Sequence, residues 1–242
     1  MPLPKVSTPV FELDLISSNK KVKYRPFLVK EEKSLLIALE SGEDKTILST
    51  LKSVLKSCVL TRGVKVDELP SFDLEFLFLN IRGKSVGESV ELLVTCEDDG
   101  VTQVPLSIEM SDIKLDFPDD HTDTIELGDD LHLKLKYPSF SQFAENNFMP
   151  SKEKDDQLID KAFGNVVDCI DQIYNTDEAW SGSDCTKKEL IDFIEQLSST
   201  QFQKIEKFFS SMPKLVYKTT VKNPKTKKDN KIVIEGLSNF FA

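Results

Sequence analysis

Residues 69–88 read "LPSFDLEFLFLNIRGKSVGE", and the fold turns on whether this stretch is a phosphate loop or the end of a helix. It contains Gly83-Lys84-Ser85, the tail of the G-x-x-x-x-G-K-[ST] pattern whose backbone amides wrap phosphates between a strand and a helix. The first glycine of that pattern falls on Phe78, and Phe76–Asn80 has no glycine to form a cradle. Periodicity alone leaves Leu69–Arg82 open between helix and strand. Ser71 as N-cap, Asp73 and Glu75 in a first turn, and Gly83 at the end favour a mostly buried helix. Glu88–Thr95 then reads as a strand. The order is helix, Gly-Lys-Ser, strand, the reverse of a phosphate loop, which leaves a nucleotide-binding enzyme using Lys84 as a remote alternative.

Upstream, Val10–Ile16 and Lys21–Arg25 alternate apolar and polar residues around Ser17-Ser-Asn-Lys20, which predicts a β-hairpin. Lys30–Glu40 predicts a helix that stops near Gly42. Ile47, Leu48, Leu51, Val54, Leu55 and Cys58 line one face of a second helix. Downstream, Val101–Ile108 returns to pair with Glu88–Thr95 across Glu97-Asp-Asp-Gly100. Strands are expected at Ile113–Phe117, Thr124–Leu127 and Leu131–Tyr137. From Ser139 to Ser211 the chain reads as entirely helical. Its apolar stripe runs through Leu158, Ile159, Ala162, Phe163, Val166, Val167, Ile170, Ile173 and Tyr174. Thr186…Glu189 and Thr200…Gln203 fit capping boxes opening two further helices. Leu215–Val221 and Lys231–Glu235 form a last hairpin. The fold class is α+β: N-terminal and central antiparallel hairpins with helices, an all-helical segment, and a C-terminal hairpin. The expected regions are 1–137, 138–212 and 213–242, packed as one globular unit.

The chain has 242 residues, 39% hydrophobic and 30% charged, an ordinary globular composition. No apolar run approaches the ~20 residues that span a bilayer. "MPLPKVSTPVFELDL" at the start lacks the basic and apolar regions of a secretion signal. Cys58, Cys96, Cys169 and Cys185 are far apart, which favours reduced thiols over a zinc cluster. A formal charge of −10 argues against a general nucleic-acid binder and favours partners with basic surfaces.

Candidate chemistry is sparse. His121 and His132 have no nucleophile motif beside them, and His132 lies out of phase with Leu131, Leu133 and Leu135, toward solvent. Asp119, Asp120, His121 and Asp123 lack calcium-loop spacing. Between Glu97 and Asp130 there are twelve acids and one lysine, read as a solvated edge or an acidic patch for a basic partner. Lys214–Lys231 holds seven lysines and one acid, with no aromatic interleaved in its turn to stack bases. It reads as a solubilising loop or the counterpart of an acidic neighbour. Phe240-Phe241 should bury, either on the chain's own core or in a partner's groove.

Several stretches together resemble a known family: Pro4 with the first hairpin, Lys23-Tyr-Arg-Pro-Phe-Leu-Val-Lys-Glu-Glu-Lys33, the quoted Leu69–Glu88, and Glu235-Gly-Leu-Ser-Asn-Phe-Phe241. The chain resembles the baseplate hub subunit or hub assembly family of T4-like contractile-tailed bacteriophages. The likeness is strongest in the first ninety residues, and the helical middle carries no signature. It implies a non-enzymatic role in assembling the central hub, with a permanent structural subunit of the virion as the alternative. No catalytic residue, metal or cofactor is implied. The expected partners are other baseplate hub proteins, not nucleic acid, membrane or a small-molecule substrate. The place of action is the host cytoplasm during tail assembly or the virion baseplate. Arg25, Phe27, Leu28, Arg82, Lys84, Phe240 and Phe241 are the candidate contact residues.

Overall fold

The computed structural model describes residues 6–148 and 163–240. Their contacts divide them into two compact units, each discontinuous in sequence. One takes the described residues of Met1–Asp116, Ser139–Pro150 and Lys214–Ala242; the other takes those of Phe117–Pro138 and Ser151–Pro213.

In the first unit, β1 (Phe11–Leu15) and β2 (Lys20–Tyr24) pair antiparallel as the alternation predicts, with Val22 and Tyr24 buried. Helix α1 (Val29–Ser41) stops at Gly42, whose φ of 63° is the left-handed cap that glycine adopts without strain. Helix α2 (Asp44–Cys58) buries Ile47, Leu51, Val54, Leu55 and Cys58, the stripe read from their spacing. Helix α3 (Ser71–Val86) buries Leu74, Leu77, Phe78, Leu79 and Ile81, and is the centre of this unit's core. Hairpin β3 (Ser89–Thr95) and β4 (Gln103–Glu109) follows as expected. The strands β5 (Lys114–Asp116), β10 (Lys214–Lys222) and β11 (Asp229–Glu235) form a sheet in the order β11-β10-β5. Helix α4 (Phe140–Phe148) adds Phe140, Phe143 and Ala144 to the core.

The second unit is a four-stranded antiparallel sheet, β6 (Thr124–Gly128), β7 (Leu131–Leu135), β8 (Ile170–Tyr174) and β9 (Ala179–Ser181), in chain order. Helix α5 (163–168) precedes β8, and α6 (Lys187–Glu195) and α7 (Ser199–Ser210) follow β9. Leu190, Ile194, Ile205 and Phe208 from the helices share a core with Ile125, Leu127, Leu133, Leu135, Ile170 and Ile173.

The structure is α+β, as expected, but it corrects the all-helical reading of Ser139–Ser211. Ile170 and Ile173, three apart, continue a helical stripe on paper. In the structure they lie on β8, where the pairing passes from Lys134↔Gln172 to Leu135↔Ile170 and leaves Asp171 as an extra residue. That bulge turns both isoleucines inward, so a strand mimics helical spacing. Leu158, Ile159 and Ala162 of the same stripe lie outside the described residues. The Thr186–Glu189 capping box is present, whereas α7 is opened by Ser198 and Gln201, two residues before the expected Thr200 and Gln203.

Gly83 does not end α3. The helix runs on to Val86, and Gly87, at φ 144°, is its C-cap. Glycine at 83 instead makes room for Met110: a Cβ there would sit 2.7 Å from Met110 Sδ and force that side chain to shift.

Candidate functional site

The two motifs that carry the resemblance meet at one corner of the first unit. The chain leaves β2 with the Arg25 amide donating to the Cys58 carbonyl at 3.0 Å and the Leu60 amide donating to Lys23 O at 2.8 Å. The Arg25 guanidinium then reaches Glu31, in the first turn of α1, at both carboxylate oxygens. Glu31 also accepts from the Leu28 amide at 2.8 Å and from Ser57 Oγ at 2.8 Å. Bonding to Arg25 holds the Glu31 carboxyl down at about 2 although burial opposes it. Burial pushes the neighbouring Cys58 thiol up to about 11, an unreactive thiol. Two residues on, the Phe27 amide donates to Ser85 Oγ at 2.7 Å, and Ser85 donates to Ile81 O at 2.6 Å. The Phe27 ring packs at 5.8 Å on Phe78. Lys84 pairs with Glu88 and stands 5.2 Å from the centre of the Phe11 ring.

Of the expected contact residues, the structure therefore brings Arg25, Phe27, Leu28 and Lys84 together. Arg25, Phe27 and Leu28 are half-buried and Lys84 is exposed. Arg82, also half-buried, borders a cleft of about 280 Å³ with Val86, Met110 and Phe240, and burial holds its guanidinium below its usual value. Phe240 is fully buried in the chain's own core. Phe241 lies outside the described residues. Glu31 and Ser57 escaped the sequence reading because their polarity signals surface; only Arg25 six residues before Glu31 hinted at a pair. Asp73 escaped too. It is fully buried, and its carboxylate accepts from the Ile16 amide at 3.0 Å and from the Ser17 hydroxyl, pinning the β1–β2 turn to α3.

This corner has none of the geometry that grips phosphate. Gly83, Lys84 and Ser85 sit in the last turns of α3, where the helix dipole presents its negative end. The Lys84 ammonium is already paired with Glu88.

The histidines do structural work. His121 Nε2 lies 3.0 Å from Tyr137 Oη and Nδ1 lies 2.9 Å from Ser211 Oγ. Ser211 Oγ also lies 2.7 Å from Lys207 O, a helical carbonyl that competes with His121 for the hydroxyl proton. Phe117, Tyr137 and Phe208 surround the ring, and burial lowers its pKa. His132, expected toward solvent, is half-buried and stacks at 5.1 Å on its cross-strand partner Tyr174. Among the described residues no three His, Cys, Asp or Glu side chains converge as metal ligands. Asp120 of the acidic stretch pairs with Lys207 at 2.9 Å.

The acidic β3–β4 turn and the lysine-rich β10–β11 turn are neighbours. Buried Asn223 donates to Asp98 at 2.8 Å and to Asp99 at 3.1 Å, and Thr226 donates to Asp98. The Asp98 amide donates to Asn230 Oδ1 at 2.9 Å. Lys218 meets Asp116 at 3.0 Å. The two segments are thus tied within the chain mostly by neutral asparagine and threonine donors, with the Lys218–Asp116 ion pair beside them.

A model of the T4 bacteriophage base plate protein family matches residues 8–242. Searches of the curated proteins and of the solved structures returned no match. The chain belongs to the T4 bacteriophage base plate protein family, with a baseplate role in the phage tail.

Proposed function

We propose that this baseplate protein acts without catalysis in assembling the central hub of the tail baseplate, through contacts with other hub proteins. The observation that carries this reading is the match of the base plate protein family to residues 8–242. Two features support it. The Gly-Lys-Ser corner is spent on packing, and the polar groups of the Arg25 corner satisfy one another. The chain acts in the host cytoplasm while tails are built; retention in the finished baseplate is the second reading. Arg25, Phe27 and Leu28 fix the corner, and Lys84, exposed and paired with Glu88, is the member that a partner's surface can reach.

Quantitative mass spectrometry of purified particles and infected-cell lysate separates the readings. Abundance in lysate with absence from particles is expected of an assembly factor. A fixed small copy number in particles assigns a permanent subunit. No association with tail proteins in either fraction overturns both.

A further inference from the structure

Two sheet edges in the first unit face each other across an open gap. β3 is bonded to β4 on one side and β11 to β10 on one side; among the described residues no strand pairs with the other edge of either. Consecutive residues 91–95 of β3 and 232–235 of β11 border a groove of about 660 Å³, so it runs along the two backbones. The Asp98 amide bonded to Asn230 ties the end of β3 to the start of β11. The strands therefore run antiparallel to each other, held at one end and unbonded beyond it.

Unpaired strand edges offer rows of free N–H and C=O groups, which an extended segment satisfies and a compact ligand does not. The side chains fit the same occupant. On the outer face Leu93 is 67% exposed and Val233 53%, one from each strand. On the inner face Leu92 and Val94 stand with Ile232 and Ile234, half-buried or buried. An added strand would lay aliphatic side chains on the inner face between Leu92, Val94, Ile232 and Ile234, and the stems of basic side chains on the outer face along Leu93 and Val233. Glu91 and Glu97 also border the groove, as does Glu235, which Lys214 approaches at 3.8 Å from outside the lining; no lysine or arginine lines the groove itself. That balance selects basic residues in the occupant and keeps the open edges from pairing with copies of themselves.

We propose that this groove takes an extended segment of a partner protein, alternating basic and aliphatic residues, as an inserted strand. The insertion joins β4-β3 and β11-β10-β5 into one six-stranded sheet. It rests on the reading of the chain as a protein-binding baseplate component, and names where that partner docks.

The test uses the full chain and a fluorescein-labelled heptapeptide, Lys-Val-Lys-Val-Lys-Val-Lys. Saturable binding is expected, about tenfold or more tighter than for the Glu/Val counterpart or for the peptide N-methylated at alternate residues. Leu93→Lys and Val233→Lys, both at exposed positions, weaken binding about tenfold while circular dichroism is unchanged. Amide exchange in the wild type slows along β3 and β11 on peptide addition. Equal affinity for the N-methylated peptide, no slowing at those strands, or no saturation at about 1 mM peptide overturns the proposal. Co-purification with baseplate proteins from infected cells is read in parallel. Co-purification without peptide binding removes the groove and leaves the proposed function, whereas peptide binding without co-purification does the reverse.

Discussion

The guanidinium of Arg25 holds both carboxylate oxygens of Glu31, at 2.8 and 2.6 Å, with the two side chains only 14% and 8% exposed. The pair joins the end of β2 to the start of α1 and, through Ser57, to the end of α2. Removing one partner leaves a charge buried without its counterion. Arg25→Leu is expected to lower stability by about 3–5 kcal/mol, whereas breaking an exposed pair such as Lys65–Glu68 should change it far less, because solvent screens both charges. Urea unfolding of Arg25→Leu and Lys65→Leu measures the contrast. Equal small losses for both would show that the corner does not depend on the pair.

The same pair sets a pH dependence. Its carboxyl is held at about 2 against an ordinary 4.5, first by Arg25 and then by the Leu28 amide and Ser57 hydroxyl, against desolvation. A lowered folded pKa gives stability that is full above the ordinary value and is lost as pH falls through the folded one. The stability advantage of wild type over Glu31→Gln is thus expected to shrink between pH 4.5 and about pH 2. Urea midpoints of the two proteins across that window decide it.

Asp73 carries the opposite sign. Burial raises its carboxyl, opposed by the bonds from Ser17 and Ile16. Its contribution is therefore full below the ordinary value of 3.8 and is lost as pH rises through the raised folded one. Asp73→Asn, which keeps an acceptor for the Ile16 amide, should compare worst with wild type at low pH and better at neutral pH. Asp73→Ala leaves buried donors unpaired and should lose about 1–3 kcal/mol at neutral pH. Unfolding of the three proteins at acid and neutral pH tests both statements.

How much of this was legible in the sequence follows from which signals are local. The hairpins of β1–β2, β3–β4 and β10–β11 and the apolar face of α2 were legible because period-2 and period-3.6 spacing acts over neighbouring residues. β8 was not, because a bulge is set by the partner strand. The end of α3 was misplaced because Gly83 resembles a cap until Met110, 27 residues on, explains it. For the candidate site, the sequence marked Arg25, Phe27 and Lys84, but could not show that Glu31, Ser85 and Glu88 respectively engage them. The β3–β11 groove was invisible, since it exists only where two distant strands fail to pair.

Gly83 and Met110 give a coupling prediction. Alanine at 83 improves an interior helix position by about 1 kcal/mol, while its Cβ, 2.7 Å from Sδ, must displace Met110. Overpacking of this kind costs about 1–3 kcal/mol. In a Met110→Ala background the obstacle is gone, so Gly83→Ala should be more favourable there than in wild type. A double-mutant cycle by thermal unfolding reads that difference, and strict additivity would place the two residues out of contact.

Phe240 separates packing from recognition. Its ring is fully buried with Leu237, Phe143 and the core residues of α3. Truncation leaves a cavity under the last 3-10 turn (Leu237–Phe240), and Phe240→Ala should lose about 3–5 kcal/mol of stability. Capture of baseplate partners should then fall only as far as the folded fraction falls. Lowering the temperature until the variant is fully folded should restore capture. Loss of capture from a fully folded variant would instead show that Phe240 leaves the core to enter a partner.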